Sequence, residues 1–159
     1  MKATGKITTE RGGFTFIEKY LKESGLEVRR DNDIFYACLA QNRDCIIGMK
    51  NGKLKIAVTL SINEEDNDIV SILANITMAK TEMVKIYLEP EGDKTNLWFS
   101  IEAFCKTEEE FKDMFPSVFK SLVDTVRRYR KYRNILLREL KTEAMRAMMM
   151  KQKYQSHLC

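Results

Sequence analysis

The hydrophobic positions near the start of the chain follow helical spacing, and those that come next alternate as in strands. Residues 14–24 are predicted to form a helix that Gly25 ends, because the apolar side chains recur at intervals of three and four. Strands are predicted at residues 26–30, 34–41, 44–50 and 53–61. The dipeptide Asn51-Gly52 favours a type I′ hairpin turn, and Asn42-Arg43 is expected to form another turn. The pattern therefore predicts an antiparallel meander.

The next segment, residues 67–80, fits two patterns. Val70 and Ile72 belong to a strand-like alternation, whereas Ile69, Leu73 and Ile76 have helical spacing. The acidic and amide residues just before the segment suit a helix N-terminus, so we favour a helix. Residues 83–88 and 96–104 then predict a hairpin.

The last third of the chain predicts a long helix. Thr107 and Glu110 have capping-box spacing, and Pro116 predicts a short helix at 108–114 with a kink or restart at the proline. A helix from 116 to 153 would be about 57 Å long, whereas a body of this size is only about 35 Å across. Part of the helix must therefore overhang, break or pack on another molecule.

Charge divides the chain more sharply than its net value of +4 suggests. The 159 residues suit one domain, but residues 127–159 contain ten bases and two acids, a charge of +8, and leave about −4 for residues 1–126. Such asymmetry indicates an acidic partner for the basic part, which is a nucleic acid, a membrane surface or a protein. We expect a flexible arm at 1–13, a folded domain at 14–126 and a basic, Met-rich helical extension at 127–159.

Two segments resemble a known family. The stretches FIEKYLKESGLEV and MVKIYLEPEGDKTNLWFSIEAF, with the amphipathic C-terminal helix, are similar to the YbjN-like family, whose fold is that of type III secretion chaperones. The likeness covers about residues 14–133 and depends mainly on the KIYL and LWFSIEAF strands that follow the ILAN helix. It implies an α+β domain with an N-terminal helix, a meander sheet, a middle helix, a hairpin and a long C-terminal helix. It also implies a non-enzymatic, cytoplasmic regulator that binds proteins and is often dimeric.

The residue types that carry chemistry are sparse. Cysteines 38, 45, 105 and 159 lack the close spacing of a zinc site, and His157 stands near a chain end, so we expect reduced thiols and no metal. No nucleophile, base and oxyanion donor occur as a set, and no glycine-rich phosphate loop is present. We therefore expect neither catalysis nor a cofactor. No window of the sequence is apolar enough for a membrane span or a signal peptide, which favours the cytoplasm.

Trp98 is a candidate anchor for a protein partner. It shares a predicted strand face with Ser100 and Glu102, and a tryptophan exposed on such a face suits partner binding. The alternative interpretation is that the C-terminal helix covers this ring, as helices usually cover one face of a sheet.

The C-terminal helix supplies the other candidate residues. Five cations surround Tyr129 and Tyr132 and suit phosphate binding, although on a helix the two tyrosines join the apolar stripe and leave the cations on a solvated rim. Beyond them, a Met-rich stripe suits an adaptable partner contact or a dimer seam. The candidate residues of this helix are Arg127, Arg128, Arg130, Lys131, Arg133, Leu136, Leu140, Met145 and Met148.

Together these observations predict a chaperone-like protein-binding or regulatory module that forms a homodimer. In that dimer, we expect the basic tail of one subunit to contact the acidic body of the other. The alternative function is nucleic-acid binding by the basic helix.

Overall fold

The computed structural model describes residues 15–39, 43–50, 52–62 and 67–156, and there it has the predicted α+β architecture. The expected arm at 1–13 lies outside these residues. The elements in chain order are α1 (Thr15–Glu23), β1 (Glu27–Asp31), β2 (Ile34–Leu39), β3 (Arg43–Lys50), β4 (Lys53–Ile62), α2 (Asn67–Met78), β5 (Lys85–Glu91), β6 (Lys94–Phe104) and α3 (Glu108–Ser156). The six strands form one antiparallel sheet in the order β1-β2-β3-β4-β6-β5.

Two-residue turns set the register of three hairpins. Asn32, with φ of 53°, begins the β1–β2 turn, and Gly92, with φ of 59°, begins the β5–β6 turn. Lys50 pairs with Lys53 across the predicted third turn, in which Gly52 has φ of 72°. Asn and Gly adopt such positive angles at low cost, which is why these short turns occur at these positions.

The β2–β3 hairpin has a different register from the predicted one. The prediction of a turn at residues 42–43 is wrong, because β3 already begins at Arg43 and that residue pairs with Leu39. Cys45 consequently lies opposite Ala37 and is buried, whereas Cys38 occupies the other face of the sheet. A turn at residues 42–43 would instead have placed both cysteines on the same face.

One face of the sheet forms the core, and all three helices contribute side chains to it. In the four central strands, β2, β3, β4 and β6, every second position is buried over most of the strand, as expected for a pleated sheet that packs on one side, and Ala57 and Ser100 are buried on the other face as well. The buried apolar side chains that the strands place in the core are Phe35, Ala37, Cys45, Ile47, Met49, Leu54, Ile56, Val58, Ile86, Leu97, Phe99 and Ile101. Helix α1 adds Ile17 and Leu21, α2 adds Val70 and Leu73, and the first half of α3 supplies the largest helical share.

The ambiguous middle segment is a helix, as we favoured. Val70 and Leu73 face the core, whereas Ile72 and Ile76 are 56% and 46% exposed. This burial follows helical spacing and does not alternate. The buried hydroxyl of Thr77 donates to the carbonyl of Leu73 at 2.7 Å, so no donor is left unsatisfied there.

Helix α3 begins where its cap predicts, yet it does not break at the proline. The backbone N–H of Glu110 donates to the hydroxyl of Thr107 at 3.1 Å, and the Glu110 carboxylate accepts from the Lys106 N–H at 2.7 Å. One continuous helix then includes Pro116, so the predicted restart is wrong. The proline removes one helical hydrogen bond, and burial of Phe115 and Val118 on either side offsets that loss.

Helix α3 is longer than the body on which it packs. Its 49 residues span about 73 Å at 1.5 Å per residue. Tyr129 is buried, Tyr132 and Leu136 are half-buried against the core, and every residue whose burial is described from 138 onward is exposed. We call residues 138–156 the distal segment. None of the helices among the described residues is both long and apolar enough to cross a membrane.

A chain that ends at Arg133 is expected to fold with a single cooperative melting transition. It loses the half-buried side chains of Leu136 and Leu137, which costs about 1–2 kcal/mol. A matched chain that ends at Val126 also loses the Tyr129 ring and should lose about 3–5 kcal/mol of unfolding free energy. Melting curves followed by circular dichroism measure the stability of both shortened chains. If the chain that ends at Arg133 fails to fold, the distal segment belongs to the core.

Replacing Pro116 with alanine should stabilise the protein. Alanine restores the missing N–H donor in an exposed helix interior and should raise the unfolding free energy by roughly 1–3 kcal/mol. Urea denaturation measures the gain, and Ser117→Ala at the neighbouring exposed position is the control. An unchanged or lower stability for Pro116→Ala would show that the helix has adapted its geometry to the proline.

Candidate partner-binding surfaces

The sheet face opposite the core has no helix on it in the described part of the chain. We call it the open face. It carries the strand positions that alternate with the core, and the strand register aligns them in rows across the sheet. Its apolar members are Ile34, Tyr36, Ile46, Ala57, Tyr87, Trp98 and Phe104. Sequence reasoning found only Trp98 of this set. Ala57, Tyr87 and Phe104 follow from the alternation along β4, β5 and β6, whereas Ile34, Tyr36 and Ile46 lie on strands that are apolar at successive positions.

Trp98 lies on the open face, so the interpretation that α3 covers it is wrong. Helix α3 packs on the other side, where the Tyr129 ring contacts Phe99 edge to face at 5.4 Å. The half-buried Trp98 ring stacks instead on Tyr87, with centroids 6.4 Å apart and planes 12° apart. Its indole N–H has no hydrogen-bond partner among the described residues. A large aromatic pair is therefore presented on the uncovered side of the sheet.

Charged side chains flank this aromatic pair. The Lys55 ammonium lies 5.6 Å from the Tyr87 ring centroid and donates to the Tyr87 hydroxyl at 3.1 Å. Glu102 contacts Lys53 at 2.6 Å and Lys85 at 3.7 Å. The hydrogen bond from Lys53 lowers the pKa of the Glu102 carboxyl, and the nearby lysines add to this effect. The carboxylate is thus held in its charged form at this end of the face.

A groove of about 700 Å³ crosses the same end of the open face. Ile34 is 39% exposed and Phe104 is 78% exposed in its lining. Gly48 lies between their strands, and nothing occupies the space where its side chain would be. The missing side chain and the protruding phenylalanine together form a depression that can accept a side chain of another molecule, and charged side chains, among them Lys50, Lys53 and Lys55, line it as well.

Two of the five predicted phosphate-binding cations already have partners within the chain. The Arg128 guanidinium donates to the carbonyl of Lys80, just beyond the end of α2, where a cation also complements the helix dipole. Arg127 lies 3.5 Å from Asp124. The pKa of Asp124 is lowered mainly by its hydrogen bond from Lys120, with help from the two arginines. Arg128 therefore joins α3 to α2, a role that sequence reasoning did not identify.

The remaining members of the cluster are divided between core and surface. Tyr129 is 2% exposed, which agrees with the interpretation that the tyrosines pack, and Arg130 is half-buried. Lys131 and Arg133 are exposed. The cluster projects from the helical layer, on the opposite side of the sheet from Trp98, so the predicted residues do not form one site.

The distal segment exposes most of the predicted Met-rich stripe. Leu136 is half-buried against the core, just before the segment begins. Leu140 is 40% exposed, and Met145 and Met148 are 56% and 65% exposed. Met149 and Met150 are exposed as well. The segment therefore presents apolar side chains that its own body does not cover.

The described thiols and carboxylates do not form a metal site. Within residues 15–39, 43–50, 52–62 and 67–156, no three His, Cys, Asp or Glu side chains are placed to hold an ion. Cys105 is buried, and its thiol donates to the Thr107 carbonyl at 3.4 Å. Burial raises the pKa of this thiol, and Glu110 raises it further, which keeps the sulfur protonated and unreactive. His157 and Cys159 lie outside the described residues.

Comparison with known proteins gives a likeness of fold. No family model matches the chain, and no curated protein is detectably similar to it in sequence. Among solved structures, the chain is similar to YbjN from E. coli, which is described as a proposed transcription regulator. The TM-score is 0.64 at 11% sequence identity, and the match covers 79% of this chain and 97% of YbjN. The chain therefore shares the YbjN fold.

Proposed function

We propose that the protein is a non-enzymatic, chaperone-like regulatory module that works as a homodimer and binds protein through its distal segment. The observation that carries this proposal is the apolar surface exposed by the described side chains of the distal segment. Four methionines there, Met145, Met148, Met149 and Met150, are each more than half exposed on a helix that extends past the body. Contiguous apolar surface of this kind on a water-soluble domain is typical of an interaction site.

The residue types of the distal segment suit this role. Leu, Met, Ala, Lys, Arg and Glu are strong helix formers, so the segment keeps its helical form without a body beneath it. Methionine side chains are flexible and polarizable, and they adapt to partner surfaces of different shape. An amphipathic helix with such side chains is a common binding element in protein complexes.

Binding of nucleic acid is the second candidate. Lys131 and Arg133 are exposed, and residues 127–159 carry a charge of +8, which attracts phosphates. Tyr129 contacts Phe99 in the core, so its ring is not accessible for stacking on a base. The phosphate contact would then be purely electrostatic.

Affinity capture from an extract of the source cells at low and high salt separates the two functions. If the distal segment binds protein, Met145→Asp with Met148→Asp should remove the captured protein, and high salt should not, because apolar contacts are little screened. If the chain binds nucleic acid, nuclease treatment, high salt or Lys131→Gln with Arg133→Gln should remove the captured material.

The matched control is Met145→Leu with Met148→Leu, which keeps the stripe apolar and should capture the same protein. Arg128 is left intact in all variants because it also holds α2. Protein capture that both pairs of methionine variants leave unchanged would contradict the proposal.

A further inference from the structure

We infer that the distal segment of one copy packs on the open face of a second copy, and that the second copy returns the same contact. This inference rests on the proposed function and names the partner of its binding element. It joins the two unpartnered apolar surfaces of the described chain, one on the helical overhang and one on the sheet.

The sequences of the central strands require a cover that the single chain does not supply. Residues 34–38 of β2, Ile-Phe-Tyr-Ala-Cys, and residues 45–49 of β3 are apolar on both faces. Strands of this kind are typical of sheets that are buried on both sides, whereas a sheet with one wet face alternates apolar and polar residues. Only one face is covered by the described helices. The other face therefore has the composition of a sheet face that a second layer buries.

The shape of the open face suits a helix. Gly48, Ala57 and Ser100 form a low floor across β3, β4 and β6, because each has a small side chain or none, and Ala57 and Ser100 are themselves buried between larger neighbours. Tyr36 and Trp98 stand on either side of this floor. Large side chains of a helix, such as Met and Leu, can fill a depression of this form.

The dimensions of the two surfaces match. The distal segment is about 28 Å long at 1.5 Å per residue. Six strands at about 4.8 Å spacing make a sheet about 24 Å wide. One distal segment can therefore span the open face. It cannot reach the open face of its own body, because α3 is continuous and carries the segment away from that body.

Charge does not select this pairing, because the open face carries six acids and six bases. The two edge strands carry exposed acids on the open face, Glu27 and Asp31 on β1 and Glu89 and Glu91 on β5. Each edge strand also carries one base on this face, Arg29 or Lys85, and the inner strands add two acids and four bases, namely Asp44, Glu102, Lys50, Lys53, Lys55 and Lys94. The distal segment carries five bases and two acids, a net charge of +3. Its bases are Arg138, Lys141, Arg146, Lys151 and Lys153, and its acids are Glu139 and Glu143.

A two-fold axis allows both contacts at once. Packed layers lie about 10 Å apart, so α3 runs about 10 Å to one side of its own sheet. If two sheets lie end to end in one plane with opposite faces up, each overhanging helix passes over the open face of the other subunit. The arrangement is closed, and it doubles a contact that would be small for a stable dimer if made once.

The test uses two variants with complementary defects. Met145→Asp with Met148→Asp damages the distal segment, and Ile34→Asp with Phe104→Asp damages the open face at exposed positions. Sedimentation equilibrium should show a dimer for the unaltered chain and a dissociation constant raised by roughly tenfold or more for each variant alone. An equimolar mixture should regain part of the association, because one intact segment can meet one intact face.

Each result decides a different point. Phe104→Leu and Met148→Leu are apolar controls that should dimerise normally, and melting curves confirm that every variant is folded. The inference is overturned if the methionine variant weakens the dimer and the Ile34→Asp with Phe104→Asp variant does not. It is also overturned if the equimolar mixture regains no association. Both results leave protein binding by the distal segment intact. A monomeric unaltered chain that still captures its partner would do the same. If the unaltered chain is monomeric and replacement of Met145 and Met148 does not change the captured protein, the proposed function is overturned as well.

Discussion

The packing of α3 on one face of the sheet is the interaction on which the rest of the structure depends. The contact of Tyr129 with Phe99 lies near the C-terminal end of this packing, and Phe111 and Phe115 contact the α1 aromatic ring of Tyr20 near its start. Because the described chain supplies helices for one face only, this contact decides which strand residues become core and which remain on the open face. It also fixes the direction in which the distal segment leaves the body.

Much of this fold could be predicted from local patterns. Alternation in β4 and β6, the Asn51-Gly52 turn and the Thr107 cap each report on a few neighbouring residues, and the structure follows them. The β2–β3 register could not be predicted, since it depends on which face of both strands meets the helices. The continuity of α3 at Pro116 also depends on distant contacts, because its neighbours are held by the core of the body.

The candidate binding residues also include some that the sequence predicts and others that only the folded structure reveals. Exposure of Met145 and Met148 could be predicted because it follows from a mismatch of length between helix and body. The contact of Arg128 with the Lys80 carbonyl could not, because the two residues are brought together only when α2 packs on α3. Tyr36 and Ile46 were missed for a simpler reason. Their strands are apolar at successive positions, so the pattern does not tell which face is the core.

The strand order has a consequence for how the chain folds. Every pairing in the sheet joins consecutive strands except β4 with β6, which places Ile62 beside Thr95 after α2 and β5 have intervened. The hairpins close short loops, which is fast, whereas the β4–β6 pairing must first close a long one. That pairing also creates the joint surface on which α3 packs. The β4–β6 pairing therefore carries the largest loop-closure cost in the sheet, and it joins the parts of the sheet that local hairpins define.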